Sequence, residues 1–96
     1  MNTPSDYIYI LRMENTDYYR VGVTNINGMK DRFRVLQMGN PNKLIQVYGR
    51  EYINYRARDF ESIVHKKLSP KKQMGDWFKL EREELEVITN YLDMFI

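Results

Sequence analysis

Residues 7–11 and 18–24 are two runs dominated by aromatic and aliphatic side chains, which a period of two sorts into an aliphatic row and a row of phenols and polar groups. A period of two is that of a strand, and both runs are rich in aromatic and β-branched residues, which suit a pleated surface. Between them Glu14, Asn15, Thr16 and Asp17 form a turn cluster, since Asn, Asp and Thr side chains bond their own backbone. The pattern predicts two antiparallel strands joined by a short loop. Parity places Ile8 and Ile10 on one face of the first strand, and Tyr19, Val21 and Val23 on one face of the second. With these rows on the core, the opposite face carries Tyr7, Tyr9, Leu11, Tyr18, Arg20, Gly22 and Thr24. That face holds phenols, a guanidinium and a glycine that leaves room for a ligand.

The period then changes. Met29, Phe33 and Leu36 fall at i, i+4 and i+7, a helical stripe, and Gly39-Asn40-Pro41-Asn42 ends it. Residues 44–53 alternate again and predict a third strand, with a bend expected at Gly49. A second helix is expected over about residues 55–68. Asn54 would be its N-cap, and Ala57, Phe60, Val64 and Leu68 its buried stripe. Ser69-Pro70 stops it, Lys71-Lys72 reads as a basic loop, and residues 75–80 as a turn into a short strand or extended segment. A last helix from about residue 82 places Leu85, Ile88, Leu92 and Phe95 on one stripe. Glu81, Glu83 and Glu84 suit the positive end of its dipole. A small sheet with helices packed on it, in a single domain over residues 1–96, satisfies every stripe.

Composition changes this picture little. Cysteine is absent, so there is no disulfide framework and no thiolate metal site. No apolar run approaches a membrane span, and no secretory signal is seen, so a cytosolic protein with no membrane partner is expected. Charge is more informative. Residues 81–96 carry one basic and five acidic residues, whereas residues 1–80 carry 14 basic and 8 acidic ones, a net of +6. A basic body suits a polyanion, the phosphate backbone above all, although a solvated surface has the same signature.

Candidate chemistry sits on these elements. Glu61 lies on the shoulder of the second helix; one carboxylate with open positions suits magnesium, which takes its other ligands from water and phosphate. A surface glutamate paired with a lysine or arginine is the competing reading. His65, the only histidine, lies one turn on and is suited to protonating a leaving group, to holding a phosphate oxygen, or to plain polar packing. Arg32 offers a bidentate fork to phosphate, or else belongs to a solvated basic face with Lys30 and Arg34. Tyr9, with Tyr7 and Tyr18, supplies phenols, whose charged form is favoured by neighbouring cations; packing is the other use of a strand tyrosine.

In order along the chain, Tyr7-Ile8-Tyr9, Arg20-Val21-Gly22, Arg32 and Glu61 resemble the GIY-YIG nuclease superfamily. Leu36-Gln37-Met38-Gly39-Asn40-Pro41, Glu61-x-x-x-His65-x-x-Leu68 and Gly75-Asp76-Trp77-Phe78 narrow the likeness to its compact phage and bacterial branch, which includes the meiotically up-regulated type of domain. The resemblance covers about residues 7–80. It implies a small α/β (α+β) domain with a central, mainly antiparallel sheet of three to four strands flanked by helices. It also implies a DNA endonuclease using one Mg2+ or Mn2+ ion. Glu61 would be the metal ligand, Arg32 the phosphate stabiliser and Tyr9 the group that activates water, with His65 the extra histidine of the branch. The chain departs from the pattern where Tyr7 replaces the first motif's glycine, which tightens the approach to the metal. It departs again at Arg20, which holds the second motif's tyrosine position, so that a second phenol is missing or supplied by Tyr18. Arg34, Lys66, Lys67, Lys71 and Lys72 are the expected DNA-backbone contacts. A homodimer or a protein partner is the expected source of any specificity. The alternative is a catalytically weak nucleic-acid-binding or partner-binding module of the same fold.

Overall fold

The first two strands form where the alternation is cleanest: β1 (Ser5–Met13) and β2 (Tyr18–Asn25) pair antiparallel, with Tyr9 opposite Gly22 and Ile10 opposite Val21. Their turn is set by Asn15 in the left-handed region, at φ 63°, and by Thr16, whose hydroxyl donates to the Met13 carbonyl at 2.7 Å. A computed structural model describes residues 5–53, 56–75 and 77–94. The expected N-cap Asn54 and the stripe residue Phe95 lie outside the described residues.

After β2 a 3-10 turn (Ile26–Gly28) is capped by Asn25, whose side-chain oxygen accepts from the Gly28 amide at 2.6 Å, and α1 (Met29–Met38) follows. Then come β3 (Leu44–Ile53), α2 (Arg56–Leu68), a second 3-10 turn (Ser69–Lys71), β4 (Lys72–Met74), β5 (Trp77–Lys79) and α3 (Arg82–Asp93). The fold is α+β: the described residues form one antiparallel sheet of five strands, in the order β3-β1-β2-β5-β4, with three helices. The sheet has one strand more than the three to four expected: Lys72, expected in a basic loop, and Met74 pair with Phe78 and Trp77 of β5. The bend in β3 is not at Gly49. The register slips between Ile10–Tyr48 and Leu11–Gln46, making Val47 the bulged residue.

The aliphatic rows do face the core. Ile8, Ile10, Tyr19 and Val21 of the sheet meet Ala57, Phe60, Val64 and Leu68 of α2, with Phe78, Leu80, Ile88 and Leu92 completing the layer. Each fully buried side chain of this kind contributes about 1.5–3 kcal/mol, so the α2 stripe alone fixes that helix on the sheet. Arg58 adds an ion pair from α2 to Asp6, a carboxylate that is only 1% exposed, at 3.3 Å. At the other end of the core α3 is tied to β3. Tyr48 donates to Asp93 at 2.7 Å, Arg50 pairs with Asp93 at 3.0 Å, and Tyr52 donates to the Leu92 carbonyl at 2.6 Å. On the opposite face α1 sets Phe33 edge-on to Tyr9, with ring centres 5.0 Å apart. No helix among the described residues is long and apolar enough to cross a membrane.

Candidate active site

Two features of the sheet create the cleft. First, β5 is short and pairs only with Tyr18, Tyr19 and Arg20, so from Val21 onward no described strand covers the outer edge of β2. α2 lies against that stretch, and His65 occupies it: its Nε2–H donates to the Val21 carbonyl at 2.7 Å, and its ring stands edge-on to Phe78 at 5.2 Å. A carbonyl only accepts, so Nε2 carries the hydrogen. Second, Tyr9 has a glycine opposite it on both neighbouring strands, Gly22 on β2 and Gly49 on β3. Its ring lies over Gly22, where a Cβ would overlap the phenol.

The expectation that Gly22 leaves room for a ligand is therefore corrected: the room is taken by the Tyr9 ring itself. Tyr7 leans the other way, over Gly49, with its hydroxyl bonded to the Gln46 amide. Tyr7 does not line the cleft, so the replacement of the first motif's glycine does not tighten it.

The resulting cleft has a volume of about 250 Å³ and is lined by Tyr9, Arg20, Arg32, Glu61 and His65 together with Val21, Gly22 and Val23. Four elements contribute: β1 supplies Tyr9, β2 Arg20, α1 Arg32, and α2 both Glu61 and His65 one turn apart. Arg32 Nε lies 3.5 Å from the Tyr9 hydroxyl, a long hydrogen bond that links phenol and guanidinium. Among the described residues, two guanidinium groups against one carboxylate line the cleft, an assortment that suits an anion. No lysine or arginine among the described residues pairs with Glu61.

Tyr18 stands apart. It shares the sheet face of Arg20 and Gly22, but it lies at the β5-covered end of β2 and lines a different cavity with Trp77 and Pro41. It does not supply a second phenol here. The expected DNA-contact cations are also divided. Lys67 lies over the Tyr91 ring at 5.1 Å, and Lys71 pairs with Glu84 at 3.4 Å, so both are engaged with α3. Lys67 is two residues from His65, about 200° around the helix, and so points away from the cleft. Arg34 pairs with Asp31 at 3.4 Å, while Lys66 and Lys72 are exposed.

The donor set bears on a metal. Among the described residues there is no group of three or more His, Cys, Asp or Glu side chains that could hold an ion. That is not the set of a zinc or calcium cage. A single carboxylate beside two guanidiniums fits a hard cation that keeps its waters and shares a phosphate with the protein.

What fold and cleft define is a small α+β domain with a cationic pocket built around one buried phenol and one carboxylate. A family model for the T5orf172 domain matches residues 6–93, and the chain belongs to that family. The family is associated with nuclease-type phage proteins, which makes this a nuclease-like or DNA-binding type of module. No curated protein and no solved structure matches the chain.

Proposed function

We propose that the chain is a metal-dependent DNA endonuclease of GIY-YIG type that cuts one strand at a time. The observation that carries this reading is the meeting of Tyr9, Arg20, Arg32, Glu61 and His65 around one cleft. Arg32 and Arg20 present N–H forks to the non-bridging oxygens of the scissile phosphate and offset the charge that builds there. Tyr9, held by Phe33 and Arg32, orients the attacking water through its hydroxyl. The attacking water gives up a proton to solvent as the new bond to phosphorus forms, and the leaving oxygen, as its bond to phosphorus breaks, takes a proton from solvent. Glu61 would hold a Mg2+ or Mn2+ ion, which when bound supplies positive charge at the phosphate and lowers the cost of deprotonating water. His65 is a positioning residue in this scheme: its bond to the Val21 carbonyl locks α2, and with it Glu61, to the edge of β2.

Glu61→Gln tests the scheme with little change of shape. Nicking of supercoiled plasmid in magnesium is expected to fall by roughly 100-fold or more, the usual loss when a charge-stabilising group is removed. Wild-type cutting by this variant would end the reading. A catalytically weak binding module of the same fold is the second reading, favoured by Tyr9 being the one phenol among the described residues that line the cleft. It predicts no cutting by either protein, with DNA affinity retained in both.

A further inference from the structure

Next to the cleft lies a second cavity, of about 630 Å³, whose character is different. Tyr18 and Trp77 form its aromatic walls, Met13 and Pro41 its apolar ones, and the amide residues Asn40, Asn42 and Gln73 line it with Thr16. No charged residue is among the described residues that line it. In a chain whose first 80 residues carry a net charge of +6, a cavity with no cation among its described lining residues offers a phosphate no ion pair. Flat aromatic faces with carboxamides, which both donate and accept, are suited instead to a neutral planar heterocycle.

Its place in the sheet ties it to the cleft. Tyr18 and Arg20 are successive residues on one face of β2, about 7 Å apart by strand geometry. Trp77 is the register partner of Arg20. Arg20 is thus shared ground, lining the cationic cleft on one side and standing beside the aromatic pair on the other. A nucleotide whose phosphate rests on Arg20 has its base within reach of Tyr18 and Trp77.

The wall opposite is built in advance. Gln37 donates from its amide to the Asn42 carbonyl at 2.9 Å and to the Asn40 carbonyl at 3.4 Å, and its oxygen accepts from the Leu44 amide at 2.8 Å. One side chain therefore braces the whole loop between α1 and β3. A preformed cavity loses less entropy on binding.

We infer that this cavity receives an unstacked base of the DNA strand adjoining the phosphate in the cleft. The preferred substrate is then DNA with an unpaired nucleotide beside the cut, such as a single strand, a flap or a mismatch, rather than a perfect duplex. The inference rests on the endonuclease reading for the identity of the strand, but its test does not require cutting.

Trp77 is the only tryptophan, so its fluorescence reports on the cavity directly. The metal-free protein is titrated with a short oligothymidylate and, separately, with an abasic deoxyribose-phosphate strand of equal length. Saturable quenching by the first and little by the second is the expected result. Tyr18→Ala is expected to weaken oligothymidylate binding roughly 5- to 150-fold, the range for loss of one base–aromatic stack, while Tyr18→Phe keeps the ring and stays within about twofold of wild type. Equal quenching by both strands, at equal affinity, means that phosphate alone is bound and overturns the inference, whether or not the alanine variant folds. If that result comes from a protein that nicks plasmid, only the base pocket is lost. If base-dependent quenching comes from a protein that does not nick, only the cutting reading is lost.

Discussion

Tyr9 and Gly22 act as one unit. The phenol is 1% exposed, yet it lines the cleft, because the missing Cβ opposite lets the ring lie flat across β2. Alanine at position 22 would collide with the ring, and neither β-strand backbone nor the Phe33 edge contact gives it an easy retreat. Gly22→Ala is therefore expected to cost about 1–3 kcal/mol, the range for overpacking, and to reduce nicking by displacing the phenol. Gly49→Ala is the matched control. It collides with Tyr7, a half-buried residue outside the cleft that can swing toward solvent. Its cost should be smaller and its cutting within a few-fold of wild type. Urea melts and plasmid nicking on the two variants separate a packing glycine from a site glycine. Equal loss of cutting in both would mean that Tyr9 is not what Gly22 protects.

At the level of elements, the helix that closes the core is held by titratable groups. The Tyr48 phenol is pushed above its ordinary value of 10.0, first by burial and then by its hydrogen bond to Asp93; Tyr52 is raised too, chiefly by burial. Both phenols hold their protons more tightly in the folded chain than in the unfolded one. Their contribution to stability is intact below about pH 10 and is lost as pH rises further, because the unfolded chain then releases protons that the folded chain keeps. The urea midpoint should fall between about pH 9 and about pH 11, and less steeply in Tyr48→Phe. A midpoint with no such alkaline decline would contradict the α3 tether.

The same scale shows what the sequence could and could not reveal. The faces of β1 and β2 were legible because period two sorts side chains whatever the neighbours are. Position along the strand was not. Tyr18 has the right parity for the cleft, but β5 covers its end of β2, and that pairing depends on residues about 60 positions away. β4 was illegible because three residues of mostly polar character have no pattern of their own; they are extended because Phe78 and Trp77 lie beside them. Gly49 suggested a bend, yet it serves Tyr7, and the bulge falls at Val47, which carries no local signal. Tyr9, Arg32, Glu61 and His65 were legible as candidates through spacing and resemblance. Their meeting depends on the open edge of β2, which no local stretch encodes.

For the whole molecule, charge and stoichiometry set the behaviour. Among the described residues the cleft contains one carboxylate, and Lys67 and Lys71 are engaged with acidic α3. On the proposed reading one chain therefore has one cutting centre and a modest cationic surface around it. One centre breaks one phosphodiester bond per encounter. In a plasmid time course, open circles should accumulate first, at a rate proportional to protein concentration, and linear molecules should appear only after a lag, when two nicks chance to lie close on opposite strands. Raising salt should slow the first step, since each phosphate contact releases condensed counterions. The exposed Lys66 and Lys72 should contribute to that salt slope more than Lys67 and Lys71, whose ammonium groups already have partners. Linear product formed without an open-circle phase, at a rate rising with the square of concentration, would mean that two chains cut together. The dimer would then be the active species, and its second cleft would have to lie across the duplex from the first.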